Sequence, residues 1–422
     1  MKRIWIYLFL ATTIVACSKD EINYERPDAK LNRLKAEYLD LLTGADKGWI
    51  GYLFPEGGGG YTFKFTFDEN NRVVTYASID EEKANAGKES SYRIKADQVL
   101  SLYFDTYTYL HILSDPDPNK SGGSTGAGLI SDFEFAILES GQDTIKLKGN
   151  HNDSELLLVR AKSDQGDDYI ARAYEYVKEV DKVNQFTYYY NKFVFNGKNY
   201  AFTVNTEKST ISFYYEKNGT FNRFTTEYAV ADNGVLLRHP FEDGETSISS
   251  LTDFATDQVA GTVDLKVNLS ASATIENVDA PVFIDKDAPR RMYVESYDYY
   301  SSTGANYSGV KDALDIRSIP GFAGMYFMPR YYIDPYDVLF TYFNGGANFV
   351  GPYFRTSYDN SGVMKFIVTN LTGTSPGAAH LPKIQTLSSL WADTDGYYVY
   401  QTGENYFDLV SVADSKLWFR FY

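Results

Sequence analysis

Apolar residues recur along this chain with two periods. Leu31, Leu34, Tyr38, Leu41 and Leu42 fall at helical spacing, between Pro27-Asp28, which reads as a helix start, and Gly44, which can close the helix. From Tyr61 to Phe67 the aromatic residues alternate with Thr62, Lys64 and Thr66, the period of a strand with one apolar face. Asp68 to Asn71 predicts a turn into a partner strand over 73–76, and the polar stretch 77–90 reads as a long loop. Further strands are predicted at 92–94, 99–111, 132–138, 144–148 and 155–160. In the strand over 99–111, Asp105, Tyr107, Tyr109 and His111 would share one face.

A second helix is predicted from Asp167 or Asp168, with Ile170, Ala173, Tyr174, Val177 and Val180 as its stripe. The strand pattern then resumes around Asn196-Gly197, Asn218-Gly219 and Asn233-Gly234. Asn-Gly supplies the positive φ that type I′ hairpin turns need at both central residues. Short strands at this spacing predict antiparallel sheets, as sandwiches or open-barrel-like units, rather than a parallel α/β fold. The predicted class is mainly β with a few short helices (α+β), in which the helix-then-sheet order occurs twice. The expected divisions are 1–16, a signal peptide; 17–27, a tether; 28–163, a helix plus antiparallel β domain; and 164–422, a helix plus second β region. Pro281 and Pro289 mark a candidate seam near 280–290, and 406–412 and 417–421 read as two closing strands.

The first residues add an address. Lys2 and Arg3 precede an apolar run from Ile4 to Val15, which is too short to cross a ~30 Å hydrocarbon core as a helix. Its length and flanks are those of a secretory signal. Ile14-Val15-Ala16-Cys17 resembles a bacterial lipobox, which implies cleavage before Cys17 and lipidation of its thiol; the alternative is a plain signal peptide with an incidental cysteine. Cys17 is the single cysteine in the chain, so it has no partner for a disulfide. Acyl chains there would hold the protein on a membrane, since two or more suffice for stable anchoring. Lys19-Asp20-Glu21 resembles the surface-export signal of Bacteroidota lipoproteins, which places the expected location on the outer face of the outer membrane, with the periplasmic face as alternative.

Charge narrows the partners. The formal net charge is −16, which gives no electrostatic reason to bind nucleic acid and favours cations or basic partners. Aromatic residues make up 16 % of the chain, with 37 tyrosines. Tyr and Phe fit half-buried pleated surfaces, so a β-rich fold accounts for most of them. Exposed tyrosines also serve carbohydrate-binding faces.

Several stretches together resemble a known family. They are Gly48-Trp49-Ile50, the Tyr61–Phe67 strand, Leu102-Tyr103-Phe104-Asp105-Thr106-Tyr107 running to His111, Ser114-Asp115-Pro116, and Ser131-Asp132-Phe133-Glu134-Phe135. The chain is similar here, over roughly 28–162, to Bacteroidota lipoproteins grouped as domain of unknown function family 4302. The resemblance implies a surface lipoprotein encoded near outer-membrane transporter pairs of the starch-utilisation type, a context of nutrient capture. It brings no assigned activity.

Sequence motifs for chemistry are sparse. His111, His151, His239 and His380 are too far apart in sequence for a local zinc motif. Asp115-x-Asp117-x-Asn119 has the one-three-five oxygens of a calcium loop but lacks its glycine and closing glutamate, and Asp393-x-Asp395-Gly396 is a similar fragment; both read as turns. Gly122-Gly123-Ser124-Thr125-Gly126 lacks the lysine of a phosphate cradle and reads as a loop. The Gly-x-Ser-x-Gly spacing within the same stretch lacks the preceding apolar strand of a nucleophile elbow. The resulting expectation is a non-enzymatic lipoprotein without cofactor or metal. It would be held on the membrane through Cys17 and would bind a glycan, a peptide or an outer-membrane transporter through an aromatic β face. Candidate contacts are Trp391, Tyr397, Tyr398 and Tyr400, near the Gly396 turn. A structural envelope protein or adhesin, and a hydrolase whose site assembles only in the fold, are the alternatives.

Overall fold

The structure, a computed structural model, describes residues 27–96, 99–295, 299–331, 336–373, 377 and 379–422. The chain forms three consecutive antiparallel barrels of eight strands each. The first runs from Trp49–Phe54 to Glu155–Arg160, the second from Tyr190–Phe195 to Ala271–Val278, and the third from Tyr300–Tyr307 to Leu417–Phe421. Within each barrel every strand pairs with its sequence neighbours, and the first pairs with the last. Closure of the first barrel sets Trp49 opposite Arg160 and Phe54 opposite Glu155. The fold is thus mainly β with a few short helices, and its sheets are closed rather than open.

A helix precedes each barrel and packs into its core. Leu42 of the helix Pro27–Thr43 joins the first core, Val180 of Tyr169–Asp181 the second, and Met292 of Ala288–Val294 the third. The helix-then-sheet order therefore occurs three times. Eight strands leave a lumen just wide enough for side chains to fill, and aromatic rings fill it here. Phe63, Phe65 and Phe67 line up inside the first barrel, Phe193, Phe202 and Phe213 inside the second, and Phe327, Phe354 and Phe366 inside the third. This accounts for much of the aromatic content.

Local expectations fare differently. The helix predicted from Asp167 or Asp168 spans Tyr169–Asp181. Asn196-Gly197 and Asn218-Gly219 both take positive φ at the tips of hairpins. At the third site the hairpin forms one residue earlier: Ala231 faces Gly234 across Asp232-Asn233. Gly234 lies in the strand, where a Cβ would come within 2.3 Å of the Leu251 carbonyl oxygen. The predicted strand over 99–111 stops at Phe104, and Tyr109–Leu113 is a helix. Leu110 and Leu113, three apart, dip into the first core, and this packing outweighs the alternation that pointed to a strand. The loop predicted over 77–90 contains the short helix Glu81–Asn85, capped by the Asp80 carboxylate.

The barrels are joined by two unlike seams. Between the first and second, the helix Tyr169–Asp181 packs on both barrels and the Thr62 hydroxyl donates to the Val230 carbonyl at 2.6 Å. Gly60 permits this approach, since a Cβ there would lie 2.2 Å from the Tyr228 carbonyl oxygen. Between the second and third, the rings of Tyr189, Tyr190, Tyr214, Tyr400 and Trp418 interlock. Among the described residues no helix is long and apolar enough to cross a membrane.

Candidate functional site

The four aromatic residues chosen from sequence do not form a binding face. Trp391 ends the helix Leu381–Trp391, which plugs the third barrel, and its indole is fully buried, stacked on Phe366 at 3.9 Å. Tyr397 lies beside it in the same lumen, and burial pushes its hydroxyl well above the usual tyrosine range. Tyr398 and Tyr400 point the other way, into the seam with the second barrel, where the buried Tyr400 hydroxyl donates to the Phe283 carbonyl at 2.9 Å and Tyr398 is half-buried. Strand alternation separates the three tyrosines: Tyr397 joins Trp391 in the core, and Tyr398 and Tyr400 serve the seam. Cys17 lies outside the described residues.

Because strands Tyr397–Gln401, Phe407–Ser411 and Leu417–Phe421 turn their outer faces to the second barrel, the opposite wall of the third barrel faces away from it. That wall comprises Phe322–Met328, Asp337–Phe343 and Asn348–Tyr358. Met325, Phe327, Leu339 and Phe354 point inward. The intervening Tyr326, Tyr342, Phe349 and Tyr353 point outward and are half-buried. They surround Phe340, which is fully covered, with ring centroids at 4.7 Å to Phe349 and 5.4 Å to Tyr353. Tyr299, 57 % exposed, extends the row from Tyr326 at 5.6 Å. On the next strand Asn370 pairs with Tyr353 and Thr372 with Gly351, so an amide and a hydroxyl border the rings on the same face. Sequence reading missed this face because both faces of these strands are apolar, which erases the alternation. The signal available was Tyr326, Tyr342 and Tyr353 standing out of phase with the lumen residues.

A cleft runs between the first and second barrels. Two contiguous cavities of about 630 and 430 Å³ share Leu157 and Leu236, one from each barrel. The larger meets a third cavity of about 320 Å³ at Glu56.

The calcium-like fragments prove to be nested turns. Asp115 Oδ1 accepts from the Asp117 N–H at 2.9 Å, Asp117 Oδ1 from the Asn119 N–H at 3.0 Å, and Asp393 Oδ1 from the Asp395 N–H at 3.0 Å. Among the described residues no group of three or more His, Cys, Asp or Glu is placed to hold a metal ion. His111 stacks on Phe133 at 4.2 Å and accepts the Thr108 N–H on Nδ1 at 3.2 Å. Burial, aided by the Lys88 charge, lowers its pKa to about 4.

In architecture this is a chain of helix-capped, up-and-down β barrels. By sequence it belongs to the family described as domain of unknown function (DUF4302), whose model matches residues 19–254. No curated protein matches. Among solved structures, the octameric penicillin-binding protein homologue from Pyrococcus abyssi is 11 % identical over 58 % of this chain and 60 % of its own, with a TM-score of 0.17. The isotype 1 transferrin binding protein B from serogroup B Neisseria meningitidis is 10 % identical over 88 % of this chain and 73 % of its own, with a TM-score of 0.13. Neither score reaches the level at which two folds correspond.

Proposed function

We propose that this protein is a non-enzymatic binding lipoprotein of the outer-membrane surface, anchored through Cys17, that holds a glycan on the outer wall of its third barrel. The observation that carries the reading is the row of half-buried rings Tyr326, Tyr342, Phe349 and Tyr353, bordered by Asn370 and Thr372. A sugar ring has an apolar C–H face and a polar rim. Flat aromatic surface suits the first, and amide and hydroxyl groups suit the second. The rings are held by cross-strand packing on a closed barrel, so little ordering entropy opposes binding. The lipobox-like Cys17 and the export-like Lys19-Asp20-Glu21 support a surface location, and that location supports a role as the binding component of a nutrient-uptake system beside an outer-membrane transporter.

The test is a glycan array probed with soluble Ser18–Tyr422, alongside affinity purification of the tagged lipoprotein from outer membranes. The reading expects retention of at least one polysaccharide class and co-recovery of a transporter. Retention of no glycan would overturn the ligand, and recovery of the protein alone would overturn the accessory role.

A further inference from the structure

The cleft between the first and second barrels has a chemistry unlike that of the aromatic wall. Its larger lobe has aliphatic walls, with Leu157 from the first barrel and Leu236 from the second, and its lining lysines Lys146 and Lys148 are ion-paired to Glu139 and Asp153. Leu138 stands at its mouth 65 % exposed, an apolar side chain with no fold-level reason to face water. The ring in this lobe, Phe54, is buried, so no exposed aromatic surface is offered to a sugar. At Glu56 the lobe passes into the cavity where loops of all three barrels meet.

That second lobe is acidic. Glu56, Glu207, Glu227 and Glu404 line it, against Lys208, whose ammonium lies over the Tyr406 ring at 5.3 Å. Arg238, in the adjoining lobe, is already shared among Glu56, Glu155 and Glu227. Within this lobe four carboxylates thus face one lysine, and its potential is negative. Gly58 and Gly122 have open space where side chains would stand, leaving bare backbone for an incoming chain to approach.

We propose that this bipartite cleft seats an extended peptide segment, with aliphatic side chains in the Leu157–Leu236 lobe and basic side chains in the Glu56–Glu404 lobe. Charge complementarity selects the basic end, and the leucine walls select the aliphatic end. Because the barrels are closed, no free strand edge is on offer at the cleft. Recognition therefore rests on side-chain lobes rather than on β-augmentation. The site is separate from the glycan wall and stands or falls without it.

Fluorescence anisotropy with soluble Ser18–Tyr422 and the labelled hexapeptide Leu-Val-Leu-Lys-Ser-Lys tests this directly. Saturable binding is expected, weakened at least about tenfold when the lysines become glutamates or the aliphatic residues become serines. Glu404→Gln and Leu236→Ser should each weaken it several-fold, with Glu404→Gln also reducing its salt dependence. Tyr342→Ala should leave it unchanged, which separates this cleft from the glycan wall. Absence of saturable binding, equal binding of the glutamate peptide, or indifference to both cleft variants would overturn the proposal.

Discussion

Arg420 grips Asp408 through two parallel hydrogen bonds, each 2.8 Å long, in the seam between the second and third barrels. The two residues sit on paired strands, on the face turned away from the third lumen, and both are buried. Burial works against the Arg420 charge, and the Asp408 carboxylate more than offsets it, so the guanidinium pKa rises. Tyr189 of the second barrel donates to Asp408 Oδ2 at 3.1 Å and closes the triad.

Breaking this pair on one side should be costly. Asp408→Ala leaves a buried guanidinium without its partner and is expected to destabilise the protein by about 3–5 kcal/mol. The double variant Asp408→Leu with Arg420→Met should recover most of that loss, because an apolar pair carries no desolvation cost. Denaturant melts followed by tryptophan fluorescence check both, since Trp418 lies in the same seam.

The first seam has its own ionic tie. Lys64, only 2 % exposed, points out of the first barrel beneath the second helix and reaches Asp167 at 2.7 Å. Asp167→Ala should cost about 1–3 kcal/mol, as it leaves the buried ammonium without this acceptor. Lys64→Met should be milder than Asp167→Ala, because it removes the buried charge itself. The order of the two urea midpoints is the readout.

Asp132 organises a turn of the first barrel. Its carboxylate accepts the N–H groups of His151 and Asn152 at 3.0 Å and of Ser154 at 3.2 Å. A Cβ at Gly149 would fall 1.9 Å from Asp132 Oδ2. Gly149→Ala and Asp132→Ala should therefore each destabilise the first barrel by about 2–3 kcal/mol, and should do so non-additively. A double-mutant cycle in which the two costs simply add would contradict the arrangement.

His111 makes the first barrel acid-sensitive. Its imidazole has a folded pKa of about 4, whereas an unfolded chain protonates histidine near ~6.5. Between these values the unfolded chain binds more protons than the native one, so native stability falls as the pH drops from about 6.5 to about 4. Below that range this residue adds no further loss. Thermal melts monitored through Trp49, in the first core, should lose several degrees between pH 7 and pH 4.5, and His111→Gln should lose less over the same interval.

How much of this was legible in the sequence can be seen at particular residues. The alternation of Phe63, Phe65 and Phe67 announced a strand, and the stripe from Ile170 to Val180 announced a helix, because each element has one apolar face. Closure was not legible: it depends on Trp49 meeting Arg160 across more than a hundred residues, and no local pattern encodes that pairing. The tyrosines near Gly396 misled because strand Tyr397–Gln401 is apolar on both faces, one turned to the lumen and one to the seam. The outer wall at Tyr326 and Tyr342 was hidden by the same two-faced pattern. Its exposure follows from which side of the third barrel the second barrel covers, and that is a property of the assembled chain.

The most direct measurement is affinity electrophoresis on gels containing the polysaccharides retained in the array, comparing wild type, Tyr342→Ala with Phe349→Ala, and Tyr400→Phe. A glycan wall on the third barrel predicts that wild type and Tyr400→Phe are retarded equally and that the double variant loses at least about tenfold in affinity while keeping its melting transition. Equal retardation of all three proteins, or no retardation of wild type by any polysaccharide, would contradict it.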